Sequence, residues 1–176
     1  MKKVAQLNYP KTQYFDLQVF FKEELKHIYW AENYLLRKFE KLTASATSPE
    51  LIMAFSDYRK IIVQHIEKIE ELFDALEIHV EGKRCSRIEE ITTEIEQALN
   101  EMNNNAFTRD GILVIGGHKI QQYKIVVFEG LIQVANLLYE NNIATGINEM
   151  LEEERTADKR FTEVIELYIQ GEGVYA

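Results

Sequence analysis

The chain has 176 residues, 46% of them hydrophobic, one cysteine and a net charge of −9 at pH 7. That is enough for a single globular domain with its own core, needing no disulfide. The acidic balance excludes the sequence-independent phosphate binding of basic domains, so nucleic acid is not an expected partner. No apolar run approaches the roughly 20 residues of a membrane span and no charged-then-apolar leader is seen, which reads as a cytoplasmic chain without membrane contact.

Only Pro10 and Pro49 are prolines, so long stretches are free to be helical. Over residues 15 to 43, Leu17, Phe20, Phe21, Leu25, Ile28, Leu35, Phe39 and Leu42 recur at threes and fours and define one apolar stripe of a first helix. Ser48 then offers an N-cap and Pro49 a first helical residue. Leu51, Phe55, Tyr58, Ile62, Ile66, Ile69, Phe73 and Leu76 continue as a second helix. After Gly82, the run Ser86-Arg87-Ile88-Glu89 matches a capping box, and Ile88, Ile91, Ile95, Leu99 and Met102 mark a shorter third helix that Asn103 to Asn105 end. Leu113, Ile120, Val127, Leu131, Ala135 and Leu138 define a fourth helix despite Gly111, Gly116, Gly117 and Gly130. A fifth carries Ile147, Met150, Ala157, Phe161, Ile165 and Tyr168.

Helices with one apolar stripe must bury it against each other, so the expected fold is all-α: an antiparallel four-helix bundle with the short helix in a long crossover, as in ferritin-like bundles. The crossover is long enough for the second and fourth helices to run parallel. The expected organisation is a loosely ordered segment over 1–14, the bundle over 15–170 and a tail over 171–176.

Placing polar residues on these stripes at 100° per residue brings several inward. Glu32 lies between Ile28 and Leu35, His65 between Ile62 and Ile69, Lys124 between Ile120 and Val127, and Glu154 between Met150 and Ala157, with Asp158 one turn on at the flank and Gln121 toward the edge of its face. His65 is read either as a hydrogen-bonded core residue or as a ligand. Lys124 either snorkels or points inward. Two carboxylates near stripe centres would each cost several kcal/mol if buried unpaired, so Glu32 and Glu154 require a cation between them.

The chain resembles the YciE/YciF-type ferritin-like proteins. Tyr29-Trp30-Ala31-Glu32 with Leu35 is similar to a Y-x-A-E-x-x-L motif, Ala54-Phe55 to an A-F pair, and His65-Ile66-Glu67-Lys68-Ile69 to an H-I-E-R-L stretch. Lys83-Arg84-Cys85 resembles the family's entry to the short helix. Tyr123 falls at the tyrosine of an E-H-Y-E segment, and Leu151-Glu152-Glu153-Glu154 with Asp158 resembles an L-x-E-E-x-x-x-D close. The resemblance implies a ferritin-like bundle, a homodimer, a di-metal site and an association with bacterial stress responses.

Where that pattern has E-H-Y-E, this chain has Gln121-Gln122-Tyr123-Lys124, and Tyr58-Arg59-Lys60-Ile61-Ile62 retains no carboxylate on the second helix. Glu32, His65, Glu154 and Asp158 remain as a metal-ligand remnant, with Lys124 as counter-ion. Two readings follow. In one, Lys124 replaces the metal charge, no cofactor is bound and the protein is structural or binding rather than enzymatic. In the other, the remnant holds one or two iron or manganese ions, with Tyr29 or Tyr123 nearby, for oxidase or peroxide-consuming chemistry. A DNA-protecting shell lacks the basic tail it would need. Cys85 reads as a partly buried structural thiol.

Overall fold

The structure, a computed structural model, describes residues 11–102 and 105–172. The segments expected to be loose at 1–10 and 173–176, Asn103 and Asn104, and the side chains of Ile165 and Tyr168 lie outside the described ones. Five helices follow in order: α1 (Lys11–Ser45), α2 (Pro49–Ala75), α3 (Ser86–Glu101), α4 (Ala106–Leu137) and α5 (Asn141–Glu172). No strand occurs among the described residues. α1 thus opens ahead of the expected start at 15, and α5 takes in Gly171 and Glu172.

Caps set the boundaries. Ser48 Oγ accepts from the Leu51 amide at 3.1 Å and Pro49 opens α2, as the residues predict. Asn105 does more than end the preceding helix: its Oδ1 accepts from the Thr108 amide at 2.7 Å and starts α4. The capping box at Ser86 does not form. Cys85 is the residue before α3 and makes no side-chain cap, while Glu89 turns to Arg84, whose Nε donates to it at 2.6 Å. A charged partner within reach outcompetes the backbone amide for that carboxylate.

α1, α2, α4 and α5 form the bundle, with α1 against α2 and α4, and α5 against α2 and α4. α2 and α4 sit diagonally and run parallel, because their N-terminal ends meet at Asp110 and their C-terminal halves share one apolar cluster. The crossover through α3 makes this possible. α3 packs on α4 and reaches α1, where Tyr34 and Thr92 hydroxyls lie 3.2 Å apart and Lys38 bonds Glu96 at 2.9 Å. Two glycines permit the close approaches to α4. A Cβ at Gly116 would stand 2.5 Å from Ile95 of α3, and one at Gly117 would stand 2.6 Å from Phe161 of α5.

The core is two clusters. One joins Leu35 and Phe39 to Phe55, Ile62, Leu113, Ile120 and Phe161; the other joins Leu25 and Ile28 to Ile69, Phe73, Phe128, Ile147 and Met150. The predicted stripes supply most of both. Phe20 is a correction, 55% exposed, because its neighbour Phe21 takes the inward position and adjacent helical residues cannot both point in.

Asp110, unremarked by any stripe, is buried and closes one end of the bundle. Its carboxylate accepts from the Thr47 amide (2.8 Å), the Thr47 hydroxyl (2.7 Å) and the Ser48 amide (2.8 Å), tying α4 to the α1–α2 link. Asp110→Ala strands those donors and is expected to cost about 2–4 kcal/mol in urea unfolding, with native helicity retained. A midpoint equal to that of the parent chain would contradict this role.

Candidate functional site

Between the two apolar clusters lies one polar layer. Glu32 of α1, His65 of α2, Lys124 of α4 and Glu154 of α5 are all fully buried, each flanked on its own helix by core residues three or four positions away. The bundle brings the four predicted inward positions to a single level. Lys124 does not snorkel.

Its ammonium is the hub. Nζ lies 2.7 Å from Glu32 Oε1, donates to Glu154 Oε1, and donates to the Tyr58 hydroxyl at 3.2 Å. An ammonium has three N–H groups, and here three oxygens take them. The rings of Tyr58 and Phe128 lie beside it, with centroids 5.2 and 5.9 Å from Nζ. Tyr58 in turn donates to Glu154 Oε2 at 2.8 Å, so both oxygens of Glu154 are engaged.

His65 continues the network outward. Nδ1 is 3.0 Å from Glu32 Oε1 and 3.4 Å from Glu154 Oε1, while Nε2 is 2.9 Å from Glu153 Oε2. Ionised carboxylates only accept, so a ring N–H on either side donates to the carboxylate it faces. Glu153 is half-buried and links the layer to the surface. Glu32 Oε2 and both side-chain polar atoms of Gln121 have no hydrogen-bond partner.

The electrostatics follow the charges. Burial opposes the Lys124 charge, but Glu154 and Glu32 outweigh it and hold the ammonium above its usual value of 10.5. Burial likewise opposes ionisation of Glu32, and Lys124 with His65 overcomes it, holding that carboxyl below 4.5. For Glu154 burial wins, aided by the charge of Glu32, and the carboxyl is raised. Tyr58 is pushed well above its ordinary value by burial and by the two carboxylates, so it stays a neutral donor.

Several expected members lie elsewhere. Asp158 is not in the layer. It sits about 40° further round α5 than Glu154 and takes His118 Nδ1 at 2.6 Å and Gln122 Nε2 at 2.7 Å on the flank of α4. Tyr29 donates to Glu70 at 2.6 Å and packs edge-on against Phe73, and the Tyr123 hydroxyl lies 3.3 Å from buried Cys85. Neither reaches the layer. Gln121, placed at an edge by the sequence pattern, is fully buried. Tyr58 and Glu153 were missed. Tyr58 counted only as one apolar position of α2, although its place one turn before Ile62 puts its hydroxyl level with the charges.

Glu32, His65 and Glu154 each offer a ligand atom, all within 4.8 Å of one another, so together they form a group that could hold a metal ion. Lys124 shares this space: its ammonium already takes Glu32 Oε1 and Glu154 Oε1, and a second cation beside it would be repelled.

The chain matches the family model described as Domain of unknown function (DUF892) over residues 16–172. It is 25% identical over 141 residues to Protein YciF of Escherichia coli strain K12, covering 80% of this chain and 84% of that protein. The crystal structure of the E. coli stress protein YciF superposes with a TM-score of 0.82 at 23% identity, over 88% of this chain and 97% of that one. YcfI from Rhodopseudomonas palustris gives 0.81 at 21% identity, over 83% and 92%. At these identities the structures establish the shared fold.

Lys124→Met removes the hub at nearly constant volume and is expected to cost about 3–5 kcal/mol at pH 8, the usual penalty for breaking a buried ion pair. The sign of its pH dependence is set by Glu154. A carboxyl with a raised folded pKa binds its proton more tightly in the native state, so acidification favours folding and relieves the uncompensated charge. The variant's deficit therefore shrinks as pH falls from 8 toward 5. Lys124→Met/Glu154→Gln should recover most of it. A deficit that is constant with pH in denaturant unfolding would rule out this charge pairing.

Proposed function

We propose that this chain, which belongs to the DUF892 family, is a metal-free relative of ferritin-like di-metal proteins in which Lys124 supplies the positive charge of the missing ions. Its role on this reading is structural or binding, not enzymatic. The observation that carries it is the saturated ammonium: three donors, three acceptors and two of them carboxylates of opposite bundle helices. A cation attached to α4 needs no supply of metal. Having no open position, it offers no place for oxygen or peroxide to bind.

The setting is proposed from weaker support. The YciF of E. coli bears the description of a stress protein, and a stress-related role here rests on that kinship. Among the described residues no helix is long and apolar enough to cross a membrane, which supports a cytoplasmic setting. A homodimer is the assembly the family resemblance implies.

A second reading keeps one observation in its favour, the three ligand atoms within 4.8 Å of one another. It requires the Lys124 side chain to leave the layer, and then an iron or manganese ion would take its place. Restoring the family's carboxylates separates the two. Protein purified after growth with iron and manganese is expected to contain less than about a tenth of an ion per chain by elemental analysis. Gln121→Glu/Lys124→Glu, which removes the ammonium and restores two of the missing carboxylates, is expected to bind iron or manganese in near-stoichiometric amount. Stoichiometric metal in the unaltered chain, or peroxide consumption faster than that of free iron, would overturn the metal-free reading.

A further inference from the structure

Charge is unevenly spread along the chain. The first 22 residues hold four lysines, Lys2, Lys3, Lys11 and Lys22, against one acid, Asp16, a net of +3 in a chain whose total is −9, so the rest carries −12. A basic end on an acidic protein is the sequence mark of contact with an anionic surface. α1 also has no acid in its first turn, so no carboxylate there offsets the positive end of its dipole.

The fold sets this end apart. Lys22 Nζ donates to the Leu76 carbonyl at 3.2 Å, which marks the level where α2 stops. The opening three turns of α1 run on past it by about 16 Å. Leu137, at the close of α4, meets them on one side, in a groove of about 260 Å³ shared with Gln13, Tyr14 and Leu17. Phe15, Val19 and Phe20 are 65%, 47% and 55% exposed within six positions of this stretch. Scattered apolar residues on a surface are ordinary, whereas a cluster marks a contact. Tyr139, two residues beyond Leu137, is 67% exposed with φ at 61°, a backbone region that favours glycine. A large ring is thus held, against backbone preference, at the same end of the bundle.

We propose that this end binds the surface of an anionic lipid bilayer, with Phe15, Val19 and Phe20 entering the headgroup region and the charge of the N-terminal lysines drawing it to lipid phosphates. The expectation of no membrane contact rested on the lack of an apolar run of spanning length, which a helix lying on the surface does not need. Glu23 in the following turn and Glu81 of the α2–α3 loop are already paired with Lys26 and Lys83, which lowers their repulsion of lipid phosphate. A single strand of nucleic acid carries the same charge but needs flat stacking platforms, and the branched Val19, one turn from Phe15, is not one. Nothing in this contact depends on the state of the Lys124 layer.

Flotation of the intact chain with lipid vesicles tests it. The protein should float with vesicles containing phosphatidylglycerol and stay behind with phosphatidylcholine alone, and about 1 M sodium chloride should release most of it. Phe15→Asp/Phe20→Asp alters only exposed side chains, so helicity should be unchanged while vesicle partition falls at least about tenfold. Replacing Lys2, Lys3 and Lys11 together by Gln should lower it about a hundredfold, at roughly fivefold per lysine. No flotation with either vesicle, equal flotation with both, or a Phe15→Asp/Phe20→Asp chain that floats like its parent would overturn the proposal. Retention of a single-stranded oligonucleotide in place of the vesicles would assign the basic end to nucleic acid and overturn it as well.

Discussion

The structure depends on neutralising two carboxylates that have been carried into the middle of a hydrophobic bundle. Glu32 and Glu154 project from helices on opposite corners, at full burial, where an uncompensated charge costs several kcal/mol. Everything else in the layer answers to that cost. Lys124 bonds both acids, Tyr58 donates to the free oxygen of Glu154, and His65 balances Glu32 on one side and Glu153 on the other. The two apolar clusters above and below keep water from doing the job instead.

A lysine solves this problem differently from a metal ion. An ion gathers many ligands and is lost when it is chelated or when ligands protonate; an ammonium has three fixed donors and is covalently part of α4. It also sets register. Sliding α4 by one turn relative to its neighbours would separate Nζ from both carboxylates at once, by about 5.4 Å, so the layer admits one alignment of the four helices where the apolar clusters alone would tolerate several. The arrangement is not fully satisfied, however. Glu32 Oε2 and the amide of Gln121 are buried without partners.

Most of the fold and half of the site were legible in the residues. Threes-and-fours spacing placed Glu32, His65, Lys124 and Glu154 inward because side-chain direction on a helix is set by position alone. Asp158 misled because a residue one turn beyond an inward one still shares its stripe on paper. Which of two flanking partners it takes depends on the rotation of α4, where His118 and Gln122 happen to wait. Tyr58 was hidden for another reason. A tyrosine is apolar along its length and polar at its tip, and only the packing of Phe39, Phe55 and Phe161 around its ring fixes where the tip ends. Asp110 was invisible because its partners are backbone amides of a distant link, which no local pattern encodes.

The same distinction explains α4, the helix whose glycines make least sense locally. Four of them would be unwelcome in an isolated helix, and the sequence pattern could only tolerate them. Two are explained once α3 and α5 are in place, because Ile95 and Phe161 occupy the room a Cβ would need. The other two face solvent in a single chain, alongside Ile115, Val126 and Leu137, on a surface whose charges are already paired. α4 thus presents a buried ammonium inward to hold the bundle together and a nearly uncharged, glycine-notched ridge outward.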